Sequence, residues 1–293
     1  MKRIEVDKDI IEEIDIEEKK VRRKKIIKRV ILITVPILLF ILIMFVSLRY
    51  IGNYGIVVRE KAIKSVKIND DLNGLRVVHF SDIYYGEYTE KKQIDRMVSK
   101  INYTKPDIVI YTGDLISKEY ILSHEEEEYL IDKLSQIDAS IIKIAIRGEK
   151  DEGTFEGIMN NSGFEVLEEN KLEKIYVKGS YINIINYEKN MEENNTYDDE
   201  ILNIVLTHNP DNIDKILNYY NPDLIFAGHT LNGQVRLPLI GGLFRNSKYM
   251  DPYYEINNTK IFISGGIGNK TLNIRLFNNP SINFIRLRKE TNN

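Results

Sequence analysis

The sequence of 293 residues contains no cysteine, which excludes disulfide bonds and thiolate metal ligands. Any metal or catalytic site must therefore be assembled from carboxylate, imidazole and other oxygen or nitrogen groups. Histidine is also scarce, since there are only four in the chain. Each histidine can therefore be assessed individually as a candidate ligand.

The chain also lacks an excess of basic residues, with 41 Lys and Arg against 44 Asp and Glu. Eight of the basic residues lie close together in residues 19–29, and the chain that follows is mildly acidic. A protein that binds nucleic acid normally carries a basic patch or stripe on its folded domain. The composition therefore predicts no nucleic-acid partner.

Residues 30–48 contain no charged side chain, and a helix of 19 residues can cross about 30 Å of hydrocarbon. No small-residue cleavage site follows, which favours an uncleaved signal anchor over a cleaved signal peptide or a buried core helix. Arg22 and Arg23 leave a twin-arginine export signal as a weaker alternative. The basic flank at residues 19–29 predicts that the N-terminus is cytoplasmic and that residues 49–293 lie outside the membrane.

The remaining pattern divides the chain into a cytoplasmic acidic and basic arm at 1–29, the membrane helix at 30–48, a linker at 49–65 and an α/β domain at 66–293. Within the arm, residues 1–18 are expected to be disordered or to lie on a surface. Apolar runs predict strands, short periodic segments predict helices, and residues 174–188 alternate like a hairpin around Gly179. Residues 189–200 are polar and predict a solvated loop. The predicted strands are 75–81, 107–111, 141–146, 202–207, 223–227 and 260–264, and the predicted helices are 90–106, 125–137 and 211–219.

Polar residues end five of the apolar runs. The stretches are VVHFSDIYYG (77–86), IVIYTGDLIS (108–117), IAIRGEKDEG (144–153), IVLTHNPD (204–211) and LIFAGHTLNG (224–233). Open α/β sheets collect their functional residues at the carboxyl ends of strands. Acidic residues and histidines delivered to one sheet edge in this way are typical of a metal site.

In order and spacing, these five blocks resemble the calcineurin-like metallophosphoesterases, in particular their membrane-anchored bacterial branch. The resemblance covers residues 66–290 and includes GQVRLPLIGGLF and ISGGIGNKTLNIRLFNNPSI. It implies a β-sandwich flanked by helices, with the four layers α/β/β/α, preceded here by one transmembrane helix. It also implies two divalent ions about 3.5–4 Å apart that activate water for attack on phosphorus.

Several of the family's ligand positions carry other residues in this chain. Of the groups that hold the first metal, Asp82 and Asp114 are present, but Tyr84 and Leu231 stand where the family has histidines. For the second metal, Asp114, His208 and His229 are present. Glu149 replaces the family's asparagine.

The resemblance therefore implies at most one divalent ion, bound by Asp114, Glu149, His208 and His229, with Asp82 nearby. Two imidazoles and two carboxylates suit Mn²⁺, Zn²⁺ or Fe²⁺. We also expect a phosphate-containing ligand at this site. The sequence identifies no protein partner.

The family's proton donor, a histidine, is replaced by Lys150, and the acid that closes the same block is Asp151. These two residues are the candidate catalytic groups. An unperturbed lysine has a pKa of about 10.4 and is a poor acid near neutral pH. Lys150 either substitutes for the charge of the missing first metal or points into solvent.

Two functions follow. The first is a degenerate, weakly active or inactive metallophosphoesterase-fold protein at the cell membrane. The alternative is an active metal-dependent hydrolase of phosphoesters or lipid-linked pyrophosphates outside the cell. Outside the site, His79 is expected to be packed or hydrogen-bonded, and for Arg275 the sequence leaves both a cleft-lining role and a surface role open.

Overall fold

The computed structural model describes residues 8–46, 55–86, 88–117, 119–188, 198–237, 239–243, 247–270 and 273–290. The chain divides into two compact units, Met1–Leu48 and Arg49–Asn293. The polar loop predicted at 189–200 lies largely outside the described residues.

The first unit contains one helix, α1 (Lys8–Val46). Its segment from Asp15 to Val46 is long and apolar enough to cross a membrane, and its side chains are exposed throughout. The helix begins well before residue 30, so the expectation of a disordered segment is wrong for residues 8–18, which are helical. An exposed apolar helix of this length suggests membrane anchoring.

The second unit contains the sheets. Its elements, in chain order, are β1 (Val57–Ser65), β2 (Arg76–Phe80), α2 (Lys91–Tyr103), β3 (Ile108–Tyr111), α3 (His124–Ser135), β4 (Ile142–Ala145), α4 (Phe155–Asn161), β5 (Glu165–Val166), β6 (Leu172–Val177), β7 (Ser180–Asn186), β8 (Asn203–Thr207), a 3-10 turn (Pro210–Asn212), α5 (Ile213–Tyr219), β9 (Leu224–Ala227), β10 (Arg236–Leu237), β11 (Gly241–Gly242), β12 (Tyr253–Ile256), β13 (Thr259–Ile263) and β14 (Ser281–Lys289).

Two six-stranded sheets stack face to face, and helices cover their outer sides. The strand orders are β1-β14-β2-β3-β4-β5 and β12-β13-β9-β8-β7-β6. Because side chains alternate along a strand, Val77 packs into the core between the sheets and Val78 packs under α2, α3 and α4. A third cluster, which includes Ile213 and Ile216, joins the second sheet to α5. The four layers α/β/β/α are therefore confirmed.

The predicted central strands, the three predicted helices and the β6–β7 hairpin are all present, with ends shifted by a few residues. The linker prediction for 49–65 is wrong for residues 57–65, which form β1. This edge strand pairs in parallel with β14 along its whole length. Its sequence, VVREKAIKS, has mostly exposed or half-buried side chains, so it lacks the apolar run that marks a central strand.

Strand directions place the ends of several strands at one edge of the domain. Parallel strands β2, β3 and β4 end there in the first sheet, and β8 and β9 end there in the second. Strand β1 runs antiparallel to β2 through β14, so it begins at this same edge. We call this edge the site edge.

Candidate metal centre

Five loop positions at the site edge adopt an unusual backbone conformation. Asp82, Tyr84, Asp114, His229 and Leu231 all have positive φ, between 47° and 65°. Residues other than glycine rarely adopt this left-handed region, which costs of order 1–3 kcal/mol each and is concentrated at functional sites. Asp82, Asp114 and His229 are predicted ligands, and Tyr84 and Leu231 are the positions where the resemblance implies histidines.

Glycines allow these loops to approach one another. Gly113 precedes Asp114 with φ of 88°, and a Cβ atom there would collide with the backbone of Gly148. A Cβ atom on Gly148 would in turn collide with Asp114. The close contact brings the loops that follow β3 and β4 together and directs the Asp114 carboxylate into the site.

Asp114 is the centre of the site and is fully buried. Its Oδ2 atom accepts a hydrogen bond from the Tyr84 hydroxyl at 2.6 Å and lies 3.3 Å from His208 Nε2. Lys150 approaches the same oxygen to 3.9 Å with its ammonium group, while its backbone N–H donates to Oδ1 at 3.1 Å. One carboxylate therefore contacts an imidazole, a phenol and an ammonium group.

Asp114, His208 and His229 bring one ligand atom each within 4.8 Å of one another, a spacing that could hold a metal ion. His208 Nδ1 donates to the carbonyl of Thr112 at 2.6 Å, which directs Nε2 into the site. Nε2 is buried and has no hydrogen-bond partner among the described residues. An oriented imidazole with a free nitrogen is typical of a metal ligand, so these residues fit a divalent ion.

The charges of the site shift the pKa of its ligands. Burial alone lowers the pKa of His208, but the carboxylates of Asp114 and Asp82 outweigh it and raise the pKa to about 9. Burial alone raises the pKa of Asp114, but His208, Tyr84 and Lys150 hold it well below its usual range. Without an ion, His208 is therefore an imidazolium beside a carboxylate.

Asp82 lies beside this cluster rather than within it. Its Oδ2 atom accepts hydrogen bonds from the backbone N–H of His229 at 3.0 Å and from the Ser81 hydroxyl. Its Oδ1 atom is buried and has no hydrogen-bond partner among the described residues. Burial and the charge of Asp114 raise the pKa of Asp82, although the two histidines oppose that shift.

Glu149 lies on the open side of the site and is about half exposed. Its Oε2 atom is 3.7 Å from His229 Nδ1, and its Oε1 atom accepts a hydrogen bond from Asn209 Nδ2 at 2.8 Å. The three-residue cluster forms without it. A role for Glu149 as a ligand stays a prediction, and Asn209 is a neighbour that the sequence did not indicate.

The two substituted positions no longer offer imidazoles toward the first metal. The Tyr84 side chain is buried, and burial together with the charges of Asp82 and Asp114 raises the pKa of its phenol, so it stays a neutral hydrogen-bond donor. Leu231 is also buried and packs closely against Gly266. The Tyr84 hydroxyl donates to Asp114 Oδ2, the same oxygen that lies 3.3 Å from His208 Nε2.

Two ammonium groups lie in the same region. Lys150 Nζ is 4.5 Å from the centre of the Tyr84 ring, and Lys270 Nζ is 3.2 Å from His229 Nε2. Burial and the charge of Lys150 lower the pKa of Lys270. Lys270 was missed in the sequence because no ligand spacing indicates it.

With Asp82, Asp114 and Glu149 all ionised, Lys150, Lys270 and a protonated His208 would balance their charge without a metal ion. Burial opposes the ionisation of Asp82 and raises its pKa. A divalent ion that displaces the His208 proton would leave the site with a net positive charge. Such a site would attract a phosphate-containing ligand.

Among the described residues, the hydrogen-bond donors to the Asp151 carboxylate are backbone groups. Its carboxylate accepts hydrogen bonds from the N–H groups of Asp114, Leu115 and Gly148 at 2.7–2.8 Å. Burial raises its pKa to about 6 despite these donors. The residue therefore ties the loop after β4 to the loop that carries Asp114.

The structure also shows the surroundings of His79 and Arg275, two residues outside the site. His79 is buried, with Nε2 at 2.9 Å from the Thr112 hydroxyl and Nδ1 at 3.1 Å from Asn283 Nδ2, so its packed, hydrogen-bonded role is confirmed. Arg275 neither lines the cleft nor lies at the surface. It is buried and donates to loop carbonyls, including those of Gly265 and Gly268.

Comparison with known proteins agrees with this arrangement. The model of the calcineurin-like phosphoesterase family matches residues 75–233. The metallophosphoesterase YkuE of Bacillus subtilis is 29% identical over 259 residues, which cover 83% of this chain and 89% of the relative. A transmembrane protein with a metallophosphoesterase domain from Danio rerio is 25% identical, over 76% of this chain and 55% of the relative. The UDP-2,3-diacylglucosamine pyrophosphatase LpxG of Chlamydia muridarum is 21% identical, over 57% of this chain and 66% of the relative.

Proposed function

The chain belongs to the calcineurin-like phosphoesterase family, and we propose that it is a membrane-anchored, degenerate member that binds at most one divalent ion and hydrolyses phosphoesters weakly or not at all. The observation that carries this proposal is the hydrogen bond from Tyr84 to Asp114 Oδ2. Tyr84 stands where the resemblance implies a histidine ligand of the first ion, so a phenol donates to Asp114 at that position and no imidazole is offered to a metal. Leu231, the other substituted ligand position, is buried among apolar contacts.

Asp114, His208 and His229 would hold the one ion, with Glu149 as a further oxygen ligand. A divalent ion there would act as a Lewis acid toward a phosphoryl oxygen. His208 is oriented for this role by its Nδ1 hydrogen bond, and burial, Lys270 and His208 lower the pKa of His229, so its imidazole is neutral. Lys150 supplies positive charge beside Asp114, and Lys270 supplies positive charge beside His229.

Asp151 acts as a positioning residue in this proposal rather than as a catalytic group. Its three backbone hydrogen bonds use the carboxylate oxygens that a proton transfer would need. Lys150 is then the only candidate proton donor from this block. Its ammonium group already interacts with Asp114 and lies over the Tyr84 ring, which favours a charge-balancing role.

The basic flank of α1 favours an orientation with residues 49–293 outside the cytoplasm. Positively charged residues next to a membrane helix are retained on the cytoplasmic side. Protease added to intact cells should therefore cleave beyond residue 55 and spare the N-terminus. Full protection of the chain would reverse the proposed orientation.

The alternative function is an active hydrolase of a phosphoester or of a lipid-linked pyrophosphate. The likeness to a relative named as a pyrophosphatase of a diacylated sugar nucleotide favours it, together with the three ligands that remain. Such a substrate would offer binding energy from parts remote from phosphorus, which a small aryl phosphodiester does not. An activity confined to large lipid substrates would support this alternative.

The full chain in detergent tests the proposal. Elemental analysis after equilibration with Mn²⁺ or Zn²⁺ should give one ion per chain, and His208→Ala should remove it. Hydrolysis of bis(p-nitrophenyl) phosphate should be close to background, with or without Mn²⁺. Two tightly bound ions, or strong turnover that Lys150→Ala abolishes, would contradict the proposal.

A further inference from the structure

An exposed apolar hairpin extends from the site edge. We use the name apolar hairpin for residues 236, 237 and 239–243, which contain the antiparallel pair β10 and β11, with Phe277 beside them. Its exposed large side chains are Leu239, Ile240, Leu243 and Phe277. Leu239 and Phe277 line one open cleft of about 460 Å³.

The apolar hairpin is tied to the metal centre by polar contacts. Asn278 donates to the carbonyls of Leu231 and Gly233 at 2.6 and 3.1 Å, which joins the Phe277 segment to the loop that carries His229. Arg236 donates to the carbonyl of Asn232 at 2.7 Å. The position of the apolar hairpin is therefore coupled to the loop that carries His229.

The chain that arrives from α1 enters the domain at the same edge. Val57, the first residue of β1, pairs with Ser281, and its N–H donates to the carbonyl of Pro280 at 2.8 Å. Pro280 is only three residues from Phe277. Residues 47–56 separate α1 from β1, and a segment of that length can span at most about 35 Å.

We propose that the apolar hairpin inserts into the bilayer that α1 crosses and so holds the metal centre against the lipid headgroups. Exposed clusters of large apolar side chains mark interaction sites, and an apolar loop on an anchored protein can bury about 5–10 Å into the headgroup and acyl boundary. Because this connection is short and β1 begins at the site edge, we favour the membrane that α1 crosses, rather than a separate partner, as the surface that covers the apolar hairpin. A phosphorylated lipid could then reach the metal centre without leaving the membrane.

The absence of tryptophan allows a direct test in the full chain. Leu239→Trp or Phe277→Trp, introduced one at a time, would provide a single fluorescent reporter in chains reconstituted at one copy per nanodisc. The control is Tyr176→Trp, because Tyr176 is 69% exposed and Phe277 is 70% exposed. Tyr176 lies next to the β6–β7 turn, at the end of the second sheet opposite the site edge.

Lipids with brominated acyl chains should quench the emission of both hairpin reporters clearly more than that of the control, because an inserted loop contacts the headgroup and acyl boundary. Their emission should also shift to shorter wavelength, while the control should respond only to aqueous quencher. Hairpin reporters that behave like the control would overturn the proposal. So would a shift that appears only with two copies per disc, which would identify the surface as a contact between copies.

The inference takes only the membrane anchor from the proposed function, and not the metal ion or its chemistry. A chain that fails to incorporate into nanodiscs would contradict the anchor and with it both proposals. A chain that incorporates but keeps its hairpin reporters in water would contradict bilayer insertion alone. Elemental analysis that finds one metal ion per chain would not change the interpretation of either nanodisc result.

Discussion

Restoring the two lost imidazoles should rebuild the first metal position. The double variant Tyr84→His with Leu231→His places both side chains on backbone that already has φ of 47° and 51°, close to the values of Asp114 and His229. The change also removes the phenol from Asp114 Oδ2. We expect the number of bound ions to rise from one toward two per chain.

The stability of the variant should depend strongly on the ion. Without metal, loss of the hydrogen bond to a buried carboxylate costs about 1.5–3 kcal/mol. An ion bound at the restored first position, with free ion at 100 times its Kd, would add about 2.7 kcal/mol to the free energy of unfolding. For a domain of this size, 1 kcal/mol corresponds to roughly 2–4 °C, so Mn²⁺ should raise the melting temperature by about 5–10 °C more than in the parent protein.

Elemental analysis and thermal unfolding, each with and without Mn²⁺, measure the two effects in the same detergent. The matched control is Tyr84→Phe with Leu231→Ala, which removes the hydroxyl and the packing but supplies no ligand. Adding Lys150→Met to the double variant removes the ammonium group that lies 3.9 Å from Asp114. This change should further increase the affinity for the ion at the restored first position. One ion in both histidine variants, with the same Mn²⁺ response as the control, would refute the reasoning.

Three further predictions concern single residues. Lys270→Met should increase the affinity for Mn²⁺ several-fold by calorimetry, because Nζ lies 3.2 Å from His229 Nε2 and competes with an ion; equal affinity, matched by the exposed control Lys248→Met, would contradict this. Asp151→Ala should lower the free energy of unfolding by at least about 3 kcal/mol, since three buried N–H groups lose their acceptor, and a loss below about 1 kcal/mol would be inconsistent with the positioning role. Burial lowers the pKa of His79 from its ordinary 6.5 to about 3. Between these two values the unfolded chain therefore binds a proton at His79 that the folded chain does not bind. Stability from this residue is therefore complete above pH 6.5 and falls by up to about 1.4 kcal/mol per pH unit as the pH drops toward 3; urea unfolding at pH 7.5 and 5.5 should show a smaller difference in His79→Gln.

The sequence was most informative where a buried strand ends in a polar residue. The runs before Asp82, Asp114, His208 and His229 are fully buried central strands, so composition and position agree. It was least informative for β1, an edge strand whose mixed side chains satisfy two partly exposed faces rather than one core.

Side-chain contacts inside the site were also beyond the sequence. Lys270 follows a glycine-rich loop, and nothing in its spacing indicates that its ammonium group reaches His229. Asp151 was predicted as a catalytic candidate from its place in a block, whereas its contacts are to three backbone N–H groups. A family block specifies which loop a residue occupies, but only the packed loops determine which way its side chain points.

The loops that carry Tyr84 and Leu231 have the same left-handed backbone as the neighbouring positions Asp114 and His229. Tyr84 and Leu231 retain left-handed conformations that cost of order 1 kcal/mol or more each, although neither offers a metal ligand. The Tyr84 N–H donates to the carbonyl of Asp114, and the Leu231 carbonyl accepts from Asn278. The same turns hold Asp114 and His229, so relaxing them would displace the ligands of the second ion. We infer that the left-handed turns at Tyr84 and Leu231 are maintained because they hold Asp114 and His229 in place. Replacing Asp114 or His229 should therefore relax these turns, whereas replacing Tyr84 or Leu231 should not.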